Sequence, residues 1–330
     1  MFTMNRHLLS PLFSYFNRVY KLQDGMNTFD NVHEFLASLS PSCPPMLKTS
    51  IRDLLRSQGY SDLFVDEIVF AATNVNYNQN TDIHGFVGAV ALAGAQDGLW
   101  SVWGGNKQIP KALLDHSQAN HISKRVHTVT LLPNAKYGLG VHDVSHVYDY
   151  VILACPIIEN SATTINFEGF PNPVIEPIKY QRTVTTLIHG DLNHAYFNCK
   201  SAQDLPNLIF STNNELFFSS ITVIYPVKYN KKYDEKVYKI FSKEELTNDQ
   251  LDLLFLKYDN VTVIDWLATP QYDTSDKNLN FEPYKNLFYV NAIEWAASAM
   301  EMSAISGVNA ALHVIKRVDR PPTPPFDPNH

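Results

Sequence analysis

Two segments carry residues whose types and order suit nucleotide chemistry. Tyr148-Asp149-Tyr150-Val151-Ile152-Leu153-Ala154-Cys155-Pro156 and Leu287-Phe288-Tyr289-Val290-Asn291-Ala292-Ile293-Glu294 are short apolar strand patterns, and the second runs into a stretch of small residues. In open α/β sheets a ligand sits beyond the carboxyl ends of the strands. Helix N-termini there offer unpaired N–H groups, and an acid accepts ribose or ribityl hydroxyls. Glu294 stands just past such a strand. Its spacing serves equally for an acid that favours the start of a following helix electrostatically, so both readings stay open.

A second candidate is Gly104-Gly105-Asn106-Lys107, between Leu99-Trp100-Ser101-Val102-Trp103 and a run opening with Pro110. That order predicts a strand, a glycine turn and a helix. Upstream, Asp82–Gly98 concentrates Gly85, Gly88, Ala89, Ala91, Ala93, Gly94 and Ala95. A helix so built can approach another backbone or a flat ligand closely, and tight packing is the plainer reading. His189 and His194 flank Asp191 in a pattern better read as a polar strand end than as a metal site, since no further ligand cluster accompanies it. No G-x-S-x-G elbow marks a serine nucleophile. Cys43, Cys155 and Cys199 are too far apart in sequence to suggest a metal or disulfide framework.

The elements that must position these residues follow from pattern. The 330 residues, 45% hydrophobic and 12% aromatic, suffice for a large core, and a net charge of −7 without runs of one sign argues against nucleic acid as partner. Apolar positions predict helices over Val32–Leu39, from Pro45 to Gly59, and from Ser61 through Leu63, Phe64, Ile68 and Phe70. Strands are predicted over 126–132, 146–154, 183–189, 208–211, 216–225, 236–241, 260–264 and 287–290. Ser242-Lys243-Glu244-Glu245 reads as the start of a helix ending near Leu256, and a long helix is expected to reach Lys316. The stretch Ala292–Ile315 contains Glu294 and Glu301, which argues against a membrane span. The first twenty residues show no apolar core leading to a cleavage site, and the Pro321–Pro325 tail is expected to be extended or disordered.

Five runs carry a more specific likeness: Asn74–Leu114, Tyr148–Pro156, Val184–Asn193, Val237–Thr247 and Phe288–Leu312. In order and spacing they resemble prenylcysteine oxidase, up to about Arg317. The resemblance implies an α/β, FAD-linked amine oxidase/reductase-like two-domain fold with a mixed-sheet substrate domain and a helical lobe. The implied boundaries are 1–80 for the helical lobe, 81–156 for segments returning to the flavin domain, and 157–285 for the substrate domain. Residues 286–318 are the closing strand and helix of the flavin domain, and 319–330 a proline-rich tail.

The implied chemistry is oxidation of farnesyl- or geranylgeranyl-cysteine by noncovalent FAD. A hydride leaves the carbon beside sulfur, and water then releases cysteine and an isoprenoid aldehyde. Molecular oxygen reoxidises the flavin to give hydrogen peroxide. By position, Gly104, Gly105, Asn106 and Lys107 resemble the turn that re-enters the flavin domain. Lys107 would face flavin N5 or hold an anion, or serve only structurally. Glu294 resembles an acid near the ribityl or phosphate part, and Met300, Glu301 and Met302 resemble the segment facing the isoalloxazine. The prenyl group is expected in an apolar slot beside the sheet. The family's setting is the lysosome, for which Asn260-Val261-Thr262 supplies one glycosylation acceptor.

The sequence also departs from the family's pattern, because no G-x-G-x-x-G occurs in these 330 residues. The N-terminal βαβ unit that holds a dinucleotide's pyrophosphate is therefore expected to be missing, and FAD binding by this chain to be weak or absent. A fragment, a truncated gene product and a short isoform each fit that expectation. The competing reading is a catalytically silent protein that binds prenyl lipid or a partner without flavin.

Overall fold

The computed structural model describes residues 10–94, 100–141, 144–161, 165–225 and 236–318. The first nine residues, the end of the glycine-rich segment and the proline-rich tail lie outside them. In chain order the helices begin with α1 (Ser10–Asp24), α2 (Val32–Leu39), α3 (Ile51–Ser57) and α4 (Asp62–Phe64). A π-helical segment (Val65–Val69), α5 (Phe70–Tyr77), α6 (Gly85–Ala93) and α7 (Gln108–Ser117) follow. Then come β1 (Thr128–Leu131), β2 (Tyr137–Val141), β3 (Val144–Tyr148), β4 (Val151–Leu153), β5 (Asn166–Glu168) and β6 (Tyr180–Leu192). The chain continues through β7 (Leu208–Phe210), β8 (Ser220–Ile224), β9 (Val237–Ser242), α8 (Asn248–Leu254) and β10 (Phe255–Pro270). It closes with β11 (Leu287–Tyr289), a 3-10 segment (Val290–Trp295) and α9 (Met300–Val318).

Two compact units result, one of Met1–Thr49, Lys124–Lys179 and Thr274–His330, the other of Ser50–Ser123 and Tyr180–Asp273. In the first unit, Asn31 caps α2 by accepting from the Glu34 N–H at 2.9 Å. That fixes the helix so that Val32, Phe35, Leu36 and Leu39 are all buried. The β strands of this unit form a sheet in the order β3-β2-β1-β5 and a separate parallel pair, β11-β4.

The second unit is built on a five-stranded sheet in the order β10-β6-β9-β8-β7, antiparallel throughout. One face of it carries the core: Ile188, Ile221, Tyr238 and Ile240 pack with Leu251 and Leu254 of α8. Beside the sheet, Asn78 donates to Arg182 O and Ser242 O, both at 3.3 Å, and accepts from Ser219 Oγ. Asn78 sits at φ 55°, a left-handed conformation asparagine tolerates, and this ends α5 where its side chain can tie three strands together. The small residues of α6 serve packing, as the plainer reading expected, since Gly88 lies hard against Ile51 of α3.

Several local expectations are corrected. The helix after Ser61 contains a π turn, which rotates the apolar stripe; Leu63 and Ile68 are exposed and Val65 and Val69 are buried in their place, while Phe70 is buried as expected. The run from Pro45 to Gly59 is two pieces, a 3-10 turn over Pro44–Lys48 and α3, separated where Ser50 turns extended to cap α3. Ser242 does not start a helix, because it pairs with Val184 as the last residue of β9. The same S/T-x-x-E/Q signal recurs at Thr247 and Gln250, and there the capping box forms and α8 begins. The short strand expected at 260–264 is part of the sixteen-residue β10. The predicted strand 216–225 shortens to Ser220–Ile224, and residues 100–103 form none.

The long closing helix is also broken. Val290–Trp295 winds as a 3-10 segment and the α-helix begins only at Met300. The break lets Ser306 Oγ donate to Val290 O at 2.8 Å. In one straight helix those residues would stand about 24 Å apart along the axis. No helix among the described residues is long and apolar enough to cross a membrane.

Candidate functional site

The parallel pair in the first unit places the two segments singled out at the start side by side, with Leu287, Phe288 and Tyr289 opposite Val151, Ile152 and Leu153. β11 is apolar because it is enclosed, with Leu287, Phe288 and Tyr289 almost fully buried; β4 buries Val151 and Leu153 and leaves Ile152 exposed. Parallel strands end on the same side, so Cys155 and Pro156 after β4 share an edge with Val290 and Asn291 after β11. Tyr289 crosses between them, its hydroxyl accepting from the Ile157 N–H at 3.1 Å. Burial pushes the Tyr289 phenol up and so keeps it neutral. The Cys155 thiol is likewise pushed up by burial, which leaves it a weak nucleophile.

Asn291 and Glu294 form the polar part of this edge. Asn291 Nδ2 donates to Glu294 Oε1 at 3.1 Å, which fixes the amide's orientation and leaves Asn291 Oδ1 pointing the other way. That oxygen is buried and, among the described residues, has no hydrogen-bond partner. A buried acceptor without a donor costs about 1–3 kcal/mol, so this corner at the carboxyl end of the parallel pair is polar and held at a cost. This is the donor and acceptor chemistry that a ribityl chain or ribose needs, and the residues present fit that portion of FAD. Glu294 lies within the 3-10 segment, six residues before α9, so the alternative of an acid at the start of a long helix does not hold.

The other expected contacts divide. Met302 is buried, while Met300 and Glu301 at the first turn of α9 are exposed. Gly104, Gly105, Asn106 and Lys107 belong to the second unit and form a tight turn, with φ of 87° and 102° at the two glycines. Asn106 Oδ1 closes the turn by accepting from the Val102 N–H at 2.9 Å, and the exposed Lys107 precedes α7. Glycine is required there by backbone conformation. His189 Nδ1 is 2.6 Å from Asp259 Oδ1, and His194 Nδ1 is 3.0 Å from Cys199 O. Asp191 is exposed, and the three cysteines are free thiols.

Sequence reasoning passed over Asn291, although it lies inside one of the runs that carry the family likeness. Its signal was available as a polar residue directly after an all-apolar strand.

A parallel strand pair with a polar edge, joined in one chain to a unit built on an antiparallel sheet where a mixed one was expected, fits the FAD-linked amine oxidase and reductase class, and the fold is of that class. A structure of cyclohexylamine oxidase from Brevibacterium oxydans IH-35A superposes with a TM-score of 0.55 at 12% identity, over 96% of this chain and 77% of that one. The prenylcysteine lyase family model matches residues 2–323, and the chain belongs to that family. It is 37% identical to prenylcysteine oxidase 1 of Bos taurus over 90% of its own length, and 36% identical to the Homo sapiens protein of the same name. The chain spans 62% and 63% of the length of those two relatives.

Proposed function

We propose that the protein acts as an FAD-dependent thioether oxidase that converts farnesyl- or geranylgeranyl-cysteine into cysteine and an isoprenoid aldehyde, with molecular oxygen as the final acceptor. The observation that carries this reading is the family match across residues 2–323, and the polar pair Asn291 and Glu294 after the parallel strands supports it. When bound, FAD supplies the acceptor for the hydride that leaves the carbon beside sulfur. Asn291 and Glu294 would hold hydroxyls of the cofactor, with Glu294 orienting the Asn291 amide. Met302 would pack beside the ring system, and Gly104, Gly105, Asn106 and Lys107 remain proposed contacts by resemblance alone. No G-x-G-x-x-G turn occurs among the 330 residues, so they offer no such cradle for the pyrophosphate. We further place the reaction in the lysosome, reached through the secretory pathway, where Asn260 would carry glycan.

The test is anaerobic. The native protein, isolated from its source with its flavin, is mixed under nitrogen with S-farnesyl-L-cysteine or with a simple primary amine. The oxidised flavin absorbance should fall in proportion to the thioether and stay unchanged with the amine. Bleaching by the amine alone would overturn the thioether assignment.

A further inference from the structure

The two faces of the five-stranded sheet in the second unit are unlike. Residues directly opposite each other on neighbouring strands share a face, so the pairings define both sides. Ile188, Ile221, Tyr238 and Ile240 point into the core. The opposite face is built by rows such as Ile264–Thr185–Phe241–Ser220–Phe210 and Thr262–Leu187–Lys239–Thr222–Leu208. There Trp266 is 52% exposed, Ile264 47%, Phe210 42% and Leu208 54%. These exposed side chains lie on the outer strands β10 and β7, and half-buried Leu187 and Phe241 continue the apolar surface across β6 and β9, as an apolar ligand needs.

Lys239 stands inside this surface, between Leu187 and Thr222, with its Nζ 4.5 Å from the centre of the Phe241 ring. Among the described residues no carboxylate lies within 4 Å of it. The other charged groups on this face pair with one another, His189 with Asp259, and Asp191 stands opposite Lys257. Partial burial pulls the Lys239 ammonium below its ordinary value, as expected for a cation that has given up water for an aromatic face. An anion arriving there would restore what solvation lost. From Lys239 to Trp266 the surface runs two strand spacings across and four residues along, a diagonal of about 16 Å. That is the scale of an extended isoprenoid chain, much longer than a small amine.

The geometry points to Lys239 as the residue that receives the carboxylate of the prenylcysteine, with the prenyl chain lying over Phe241 and Ile264 toward Trp266. This assignment rests on the thioether reading above and names the substrate's anchor within it. Charge complementarity selects a single-chain amphiphile whose head carries a carboxylate over one that lacks it, and Lys239 is a positioning residue that need not touch the reacting carbon.

Isothermal titration calorimetry on the full chain, with S-farnesyl-L-cysteine and its methyl ester as ligands, tests it. The acid should bind about tenfold more tightly than the ester. Lys239→Gln should reduce that ratio to about one while leaving ester affinity within about twofold, and Lys239→Arg should retain most of the preference. An acid preference that survives in Lys239→Gln would overturn the assignment and leave the thioether reading standing. Failure of both acid and ester to bind the unaltered chain would instead overturn the thioether reading, and this assignment with it.

Discussion

Asn309 of α9 clamps Phe29 at both backbone groups, accepting from its N–H at 2.8 Å and donating to its carbonyl at 2.9 Å. His313 Nε2 also lies 3.0 Å from that carbonyl. Asn309→Leu therefore leaves the carbonyl a partner but orphans the buried N–H, at about 1–3 kcal/mol. Asn309→Asp keeps the acceptor and turns the donor into an oxygen facing the Phe29 carbonyl. Urea unfolding should show both variants destabilised; no change in either would remove the clamp from the account of this unit.

Gly88 and Ile51 meet where α6 crosses α3. A Cβ on Gly88 would fall 2.4 Å from the Ile51 Cβ, a buried branched side chain in a packed helix. Gly88→Ala should cost about 1–3 kcal/mol by overpacking. Combined with Ile51→Ala, the two losses should fall short of additivity, because the second change opens space for the first. Strict additivity in thermal unfolding would mean the helices do not meet there.

Glu282 is held by the Arg317 guanidinium at 2.5 Å and by the Asn286 N–H at 2.7 Å. Burial alone would raise its carboxyl; the Arg317 and Asn286 hydrogen bonds outweigh that and hold it below its ordinary value. A depressed folded value means the stabilisation is fully present above the unfolded value and is lost as pH falls through the folded one. Glu282→Gln should be less stable than the parent at pH 7, by about 1–3 kcal/mol, and should lose less on acidification below pH 4. Parallel acid limbs in denaturant titrations would contradict this.

Asn260 sits at a bulge in β10, exposed and at φ 49°, with its Nδ2 bonded to the adjacent Asp259 at 2.8 Å. An acceptor presented this way should be glycosylated when the protein passes through the secretory pathway. Treatment with a peptide N-glycosidase should increase its electrophoretic mobility, and Thr262→Ala should abolish that change. A parent protein unaffected by the glycosidase would count against both the modification and the lysosomal placement.

The parts legible in sequence were those governed by local pattern and by family likeness. Runs of β-branched, aromatic and apolar residues located β6, β9 and β11, and the glycine-rich run announced a close helix contact. What escaped depended on long-range choice. Ser242 and Thr247 offer the same capping signal, and only pairing of Ser242 with Val184 decides which one is used. The π turn at Val65–Val69 rotates an apolar stripe without changing its composition. The α1 helix buries only Val19 and Gln23 among its described side chains, too little pattern to announce it. Asn291 and Lys239 become informative only once the burial of their surroundings is known.

The central claim is that the protein oxidises the thioether of prenylcysteine. The native, flavin-bearing protein should be incubated in air with S-farnesyl-L-cysteine while cysteine, farnesal and hydrogen peroxide are measured together. Equal amounts of all three, appearing at one rate, are the predicted result. Thioether recovered intact from protein that retains its flavin, or cysteine released without aldehyde and peroxide, would contradict it.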